Sequence, residues 1–369
     1  MDEDGAAGGL RVRSLGIEQP GRAFFFDYED GPLPEGHIRV RTLYTGLSAG
    51  TELSFFKGTN PYLRSRWDDR LSVFLADEPG VRFPLNFLGY MEVGRVVASR
   101  TTAVAVGEVV AMAYGHKSGH TADPSVELFV PLPADLDPIL GIYGAQMGPI
   151  CANGLLHAAA DLSGAGVRDL GDGVRGRRVL VVGGGVVGLL TGLFARRHGA
   201  AAVALADATP ERLATAVALG LVALDEREGE AWRWCKERWH HGGGERGADV
   251  VFQCRGRAAS LQTALRALRP QGTVIDLAFY QDGASDVRLG EEFHHNGLAI
   301  RCAQIGRVPR GLGHAWDRSR LARETVDLLR AHGDAIREHV ITDIVPFDEA
   351  PAFIAELAER RRHAIQAVF

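Results

Sequence analysis

The chain has 369 residues, of which 46% are hydrophobic and 24% are charged, and its formal net charge is -5. This length exceeds the usual size of one hydrophobic core, so two domains that share a catalytic cleft are expected. The small negative charge gives no electrostatic reason for binding nucleic acid, so the expected partner is a small-molecule substrate. The start of the chain is acidic, and no apolar run reaches about 18 residues. These two features predict a cytoplasmic protein without membrane spans.

The first part of the chain is typical of an all-β domain. Between Arg11 and about Pro133, the strand-like runs HIRVRTLY, EVGRVVAS, GEVVAMAY and VELFVPLP alternate with glycine, proline and acidic turns. Residues 60–84 are interpreted as a loop with one short helix, and residues 143–160 as a buried helix. We therefore predict a β-rich domain over residues 1–150.

From RRVLVVG onward, strands and helices alternate, which predicts a doubly wound parallel sheet of the Rossmann type. The strands VLVVG, VALAD, DVVFQC, TVIDLAF and LAIRCAQIG fall within residues 151–306, which we assign to this second domain. Two amphipathic helices follow, from Arg318 to His332 and from Phe347 to Arg362, and the chain closes with AIQAVF. This tail, residues 307–369, is expected to complete the first domain.

A glycine motif marks the predicted dinucleotide site. Gly183, Gly185 and Gly188 form G-x-G-x-x-G directly after a strand and at the start of a helix, where backbone amides can bind a pyrophosphate. Asp207 ends the next strand, where a carboxylate accepts hydrogen bonds from the ribose hydroxyls and repels a 2′-phosphate. NAD(H) is therefore favoured over NADP(H), although Arg212 in the following helix could tolerate a phosphate.

The chain resembles the medium-chain dehydrogenase/reductase superfamily over nearly its whole length. The resemblance rests on TGLSAGTE, GYMEVGRVV, VGEVVA, the GGGVVG loop, Asp207, ADVVFQCRG and LRPQGTVIDLA. It implies an α/β architecture with a GroES-like catalytic domain and a Rossmann domain. It also adds Val186, Val187, Cys254 and Ala278 to the expected cofactor site.

The metal ligands of that superfamily are missing here, so we predict no zinc. Ser48 or Ala49 stands where the zinc enzymes have a cysteine, and Tyr90 and Met91 replace their His-Glu pair. The segment MGPICANG offers only Cys151 near the third ligand position. The chain's cysteines form no CxxC pair, which favours free buried thiols. This pattern is similar to the zinc-lacking members described as hydroxyethyl bacteriochlorophyllide dehydrogenase-like.

A zinc-free enzyme must move the substrate proton with side chains. The segment YGHKSGH concentrates titratable groups, and we favour Lys117 and His116 over His120 for this role, although a solvated turn would have the same composition. The resemblance implies that the hydroxyl of Thr51 passes the proton, with Glu52 as a structural acceptor beside it. Tyr90 could donate its phenol proton or only fill the space that a metal would occupy.

These features predict an NAD(H)-dependent dehydrogenase that interconverts a secondary alcohol and a ketone on a sugar, a cyclitol or an intermediate of specialised metabolism. An enoyl or quinone reductase using NAD(P)H is one alternative, and a non-catalytic dinucleotide-binding protein is another. The apolar run LAIRCAQIG is predicted to be an edge strand. We expect it to join two copies of the chain in a homodimer, as the resemblance also implies.

Overall fold

The computed structural model of the protein describes residues 9–369 and divides them into two compact units. The first contains the residues up to Gln146 together with Ile341–Phe369, and the second contains Met147–Val340. No helix in residues 9–369 is long and apolar enough to cross a membrane.

Strands form most of the regular structure of the first unit and the central sheet of the second. They are β1 (Leu10–Gln19), β2 (Arg22–Asp30), β3 (Ile38–Thr45), β4 (Ser65–Asp68), β5 (Val73–Ala76), β6 (Glu92–Ser99), β7 (Val109–Met112), β8 (Gly119–Ala122), β9 (Val130–Pro131), β10 (Arg178–Val182), β11 (Ala202–Asp207), β12 (Val222–Asp225), β13 (Ala248–Gln253), β14 (Leu268–Asp276), β15 (Ala299–Cys302), β16 (Ile341–Ile344) and β17 (Gln366–Val368).

The α-helices lie mainly in the second unit, where they connect the strands. They are α1 (Ala49–Phe56), α2 (Met147–Ser163), α3 (Val186–Arg197), α4 (Pro210–Ala218), α5 (Ala231–Arg238), α6 (Ala258–Ala267), α7 (Arg318–His339) and α8 (Ala350–Ala358). The two longest, α2 and α7, pack against each other.

The first unit is built on an antiparallel sheet with the strand order β8-β3-β6-β7-β9. A hairpin of β1 and β2 and the parallel pair of β16 and β17 accompany it. One buried cluster joins side chains from β1, α1, α8 and the C-terminal strand, including Leu15, Phe56, Phe353 and Ala367. The C-terminal 29 residues therefore complete the β-rich unit. The amide of Leu47, just before α1, donates to the carbonyl oxygen of Ala367 at 3.0 Å.

The second unit contains a parallel six-stranded sheet in the order β12-β11-β10-β13-β14-β15, as the alternating strands and helices predict. Its strands are apolar over most of their length because helices cover both faces of such a sheet. Cys151 and Cys235 are buried thiols as expected, whereas Cys302 is exposed because it lies on the edge strand β15.

The boundaries of the units differ from the predicted ones. The sequence pattern predicts that residues 307–340 complete the first domain, but they belong to the second unit because α7 packs against α2 and α4. The predicted end of this helix at His332 also differs, since α7 continues through the buried Gly333 to His339. Only the strand-forming end of the tail, from Ile341, joins the first unit.

Candidate active site

The glycine loop of the second unit joins β10 to α3 at the carboxyl edge of the parallel sheet. Gly183 has a φ of +107°, a conformation that favours glycine. A Cβ atom on Gly188 would lie 1.8 Å from the carbonyl oxygen of Gly183, so any side chain there would disrupt the loop. A Cβ atom on Gly185, the N-cap of α3, would meet no atom within 4 Å. This open space before the first amides of α3 fits a pyrophosphate.

The other predicted cofactor residues lie along the same edge of the sheet. Val186 and Val187 form the first turn of α3 and are partly buried. The amide of Cys254, which follows β13, donates to the carbonyl oxygen of Val182 at 2.9 Å. Ala278 follows β14, and its amide donates to a carboxylate oxygen of Asp276 at 2.9 Å. The structure thus brings these residues to the ends of adjacent strands.

Asp207 ends β11 and is only 2% exposed. One of its oxygens, Oδ2, accepts from the amide of Gly184 at 2.7 Å, and the other accepts from the amides of Ala208 and Thr209 at 2.8 and 2.9 Å. Burial alone would raise the pKa of Asp207, but the Gly184 amide and the charge of Arg255 outweigh it and lower the pKa to about 2. The carboxylate therefore stays charged and fastens the glycine loop to β11.

Two guanidinium groups lie beside Asp207. Arg255 donates from Nη2 to Oδ2 of Asp207 at 3.0 Å and from Nη1 to Oε2 of Glu226 at 2.7 Å. Arg212 is more distant, with its Nη1 atom 3.6 Å from the same Asp207 oxygen. Arg212 is predicted from the sequence, whereas Arg255 and Glu226 are not, because their contact with Asp207 joins residues at the carboxyl ends of three different strands.

Three hydroxyl groups come together in the first unit, and we call Ser48, Thr51 and Tyr90 the hydroxyl cluster. The Ser48 and Tyr90 hydroxyls are hydrogen-bonded to each other, and the Tyr90 hydroxyl donates to Oγ1 of Thr51 at 3.4 Å. Burial raises the pKa of Tyr90, and the hydrogen bonds from Ser48 and Thr51 offset this only in part. The phenol is therefore neutral near pH 7 and can donate a proton.

The backbone just before Tyr90 packs closely against the ring of His116. Gly89 has a φ of +94°, and a Cβ atom there would lie 2.9 Å from several atoms of that ring. Glycine is required at this position both by its backbone conformation and by the close approach of the ring. His116 is completely buried, and its ring packs against Gly89, the residue before Tyr90.

His116 is the centre of a buried hydrogen-bond network with Glu52, Thr45 and Glu92, which we call the His116 network. Its Nε2 atom lies 2.7 Å from Oε2 of Glu52, and its Nδ1 atom lies 2.5 Å from Oγ1 of Thr45. The Thr45 hydroxyl donates to Glu92 at 3.0 Å, so it must accept from the histidine. Both ring nitrogens are then donors, which is the arrangement of an imidazolium ion.

The charges of the His116 network agree with this assignment. Burial alone would lower the pKa of His116, but the charge and hydrogen bond of Glu52 and the charge of Glu92 raise it overall. Burial raises the pKa of Glu92, with partial relief from His116 and from the Tyr114 amide. Glu52 also accepts from the amide of Ser48 at 2.8 Å. The network therefore connects a buried ion pair to the backbone of the hydroxyl cluster.

The remaining predicted proton-transfer residues lie elsewhere. Lys117 forms an isolated bridge with Ser14, and its Nζ atom is 5.9 Å from the centre of the Tyr28 ring. His120 lies on β8, 2.8 Å from a carboxylate oxygen of Glu127, and its ring stacks on Tyr114. No contact joins Lys117 or His120 to the hydroxyl cluster within residues 9–369.

In the resembled superfamily, zinc ligands stand at the position of Tyr90 and at that of Ser48 or Ala49, but the groups found here do not fit the metal. Zinc in proteins binds thiolate, imidazole and carboxylate groups, whereas Ser48 and Tyr90 offer neutral hydroxyls. The thiol of Cys151 contacts the carbonyl oxygen of Val187 at 3.4 Å, and burial raises its pKa to about 12. In the described part of the chain, no three His, Cys, Asp or Glu side chains are grouped to hold a metal ion.

Comparisons with known proteins agree with the fold. The family model described as zinc-binding dehydrogenase matches residues 186–312, which lie in the second unit and include neither Ser48 nor Tyr90. D-guloside 3-dehydrogenase of Escherichia coli (strain K12) is 27% identical over 347 residues, covering 92% of this chain and 94% of that protein. A probable D-xylulose reductase A of Arthroderma otae is 29% identical over 321 residues, covering 76% and 84%.

A solved structure shares the same architecture. Galactitol-1-phosphate dehydrogenase from Escherichia coli superposes with a TM-score of 0.72 at 15% identity and covers 97% of this chain and 99% of its own. At this identity the likeness shows the fold alone. Taken with the glycine loop, the two sheets and the relatives named above, it leads to one assignment: the chain belongs to the medium-chain dehydrogenase/reductase superfamily.

Proposed function

We propose that this protein is an NAD(H)-dependent, zinc-free dehydrogenase that interconverts a secondary alcohol of a sugar or polyol with the corresponding ketone. The observation that carries the proposal is the hydroxyl cluster, in which a partly buried, neutral Tyr90 phenol bonds to Ser48 and stands where the resembled superfamily has a zinc ligand. The open glycine loop of the second unit supports the choice of a dinucleotide.

The substrate class is supported by the relatives, whose names refer to a guloside and to xylulose. Polyhydroxylated substrates also suit this site chemically. A cluster of neutral hydroxyls can exchange hydrogen bonds with a substrate hydroxyl in either direction, because each group both donates and accepts. We therefore propose a ring or chain carbon that carries a secondary hydroxyl as the site of oxidation.

A dinucleotide held at the glycine loop and beside Asp207 would supply hydride acceptance in alcohol oxidation and hydride donation in ketone reduction. Tyr90 is the group we propose for the accompanying proton. During oxidation, the substrate hydroxyl proton passes to the Tyr90 oxygen, while the Tyr90 proton moves to Ser48 or Thr51 and from there to solvent. In reduction, Tyr90 donates its proton to the carbonyl oxygen. Lys117 is the alternative that the sequence analysis favoured.

The proposed preference for NAD(H) rests on Asp207, whose charge opposes a 2′-phosphate. Its low pKa keeps that charge at every pH at which the enzyme would be assayed. The neighbouring arginines weaken this opposition, since each brings a positive charge within 3.6 Å of the carboxylate.

The proposed activity is tested by incubating the purified protein with NAD⁺ and a panel of glycosides, polyols and simple secondary alcohols. We expect NADH to accumulate with at least one glycoside or polyol, and mass spectrometry of the product to show the loss of two hydrogen atoms. In a parallel incubation with NADH or NADPH, hydride transfer to an enone or a quinone, with no oxidation of any alcohol in the first panel, would instead favour the reductase alternative.

We also propose a homodimer formed through β15. This strand pairs with β14 on one side, no strand of residues 9–369 pairs with its other side, and Ile300 is 38% exposed on it. Exposed edges of this kind are commonly covered. Light scattering should give twice the mass of the chain, and Ile300→Lys should shift the protein toward monomer. A wild-type protein that is monomeric at micromolar concentration would contradict the proposal.

A further inference from the structure

The carboxylate of Asp207 has no hydrogen-bonding capacity left. A carboxylate offers about four lone-pair sites. Four donors occupy them here: the amides of Gly184, Ala208 and Thr209 and the guanidinium of Arg255, at 2.7 to 3.0 Å. A ribose diol that donates to Asp207 must therefore displace one of these donors.

Arg255 is the donor that can leave. The three amides belong to the glycine loop and to the turn after β11, where the backbone is fixed by the sheet. Arg255 is a side chain, 24% exposed, and its second bond to Glu226 gives it an anchor when it releases Asp207. Arg212 does not compete in the same way, because 3.6 Å exceeds the length of a hydrogen bond.

The position of Arg255 also affects how well the site binds the 2′-phosphate of NADPH. An arginine beside the carboxylate offsets the negative charge that repels the phosphate, and its planar group can bind phosphate oxygens through two parallel hydrogen bonds. With NADH, the same arginine must be moved before the diol can reach Asp207. Its presence therefore weakens the binding of NADH and strengthens that of NADPH.

We propose that Arg255 determines cofactor selectivity by occupying Asp207, so that the chain discriminates less between NADH and NADPH than Asp207 alone would. This inference rests on the proposed dinucleotide binding. Glu226 opposes the effect on NADPH, because it holds Arg255 and adds a negative charge of its own. Arg255 is thus a specificity residue that acts through its contacts with Asp207 and with the ribose end of the cofactor.

The test is a calorimetric titration of NADH and NADPH into the wild-type protein and the variants Arg255→Met, Glu226→Gln and Arg227→Met. We expect Arg255→Met to raise the NADH-to-NADPH affinity ratio at least tenfold over that of the wild type. Glu226→Gln should lower the ratio, because Arg255 is freed toward the phosphate. Arg227→Met is the matched control, since Arg227 pairs with Asp225 and removing it changes the net charge equally. Its ratio should stay within twofold of the wild-type ratio.

The outcomes separate the two proposals. If the wild-type protein binds neither dinucleotide, the proposed function fails. If it binds NADH but Arg255→Met leaves the ratio unchanged, or changes it no more than Arg227→Met does, the selectivity role of Arg255 is wrong while the proposed function stands. If Arg255→Met does not fold, the NADH-to-NADPH affinity ratio of Glu226→Gln tests the role of Arg255. An unchanged or raised ratio in that variant overturns the inference.

Discussion

Replacing Tyr90 with phenylalanine is expected to lower the turnover number by about a hundredfold or more, because the variant keeps the ring but loses the group proposed to move the substrate proton. The phenylalanine ring still fills the space beside Ser48 and Thr51, so the fold and the binding of NADH should not change. Steady-state kinetics with a substrate from the panel gives the turnover number, and calorimetry gives the affinity for NADH.

Two further variants make this result specific. Tyr62→Phe removes the same atom from a tyrosine that is 37% exposed outside the hydroxyl cluster, and it should keep wild-type turnover. Lys117→Met distinguishes the two candidates for proton transfer. If Lys117→Met loses turnover and Tyr90→Phe does not, the proton passes through Lys117, as the sequence analysis favoured.

Replacing His116 with leucine is expected to reduce the free energy of unfolding by about 3–5 kcal/mol, because Glu52 and Glu92 would be left buried without their counterion. The side chains of His116 and Glu52 are 0% and 3% exposed, so water cannot replace the lost contacts. Chemical denaturation followed by a signal from the first unit measures the change.

His120→Leu is the matched control. His120 is also 2.8 Å from a carboxylate, but the side chains of the pair are 17% and 36% exposed. Ion pairs that water can reach contribute about 0–1 kcal/mol to the free energy of unfolding, so His120→Leu should be only slightly destabilised. Equal losses in the two variants would contradict the ionic role assigned to the His116 network.

The pH dependence of stability provides a second readout of the same pair. The pKa of His116 is raised in the folded protein by Glu52 and Glu92, which outweigh burial. Its contribution is therefore fully present below the unfolded pKa of about 6.5 and is lost as the pH rises through the folded pKa. The stability of the wild-type protein should fall over this range, and the fall should be smaller in His116→Leu.

Much of the fold could be predicted from local patterns. The glycine loop, the alternation of strands and helices and the edge strand β15 each depend on a short segment whose spacing is visible in the chain. The hairpin of β4 and β5 was missed within the predicted loop over residues 60–84, because its strands have only four residues each. The predicted helix from Arg318 to His332 is shorter than α7, which continues through the buried Gly333 to His339.

The arrangement of the site was harder to predict, because its contacts join distant segments. Glu52, Glu92 and His116 lie on α1, on β6 and in the loop before β8, and nothing local indicates that they meet. Arg255 was missed for the same reason, although its position directly after β13 was a usable signal. Residues that follow neighbouring parallel strands converge at one edge of the sheet, as Asp207 and Glu226 also do.

The most direct test of zinc-free catalysis is to measure bound zinc and turnover in the same sample after exhaustive dialysis against a chelator. The proposed function predicts well under one zinc per chain and a turnover number equal to that of the untreated enzyme, with no gain when zinc is added back. Stoichiometric zinc in the untreated protein that is lost together with activity, and restored together with it, would contradict the assignment of proton transfer to Tyr90 in a metal-free site.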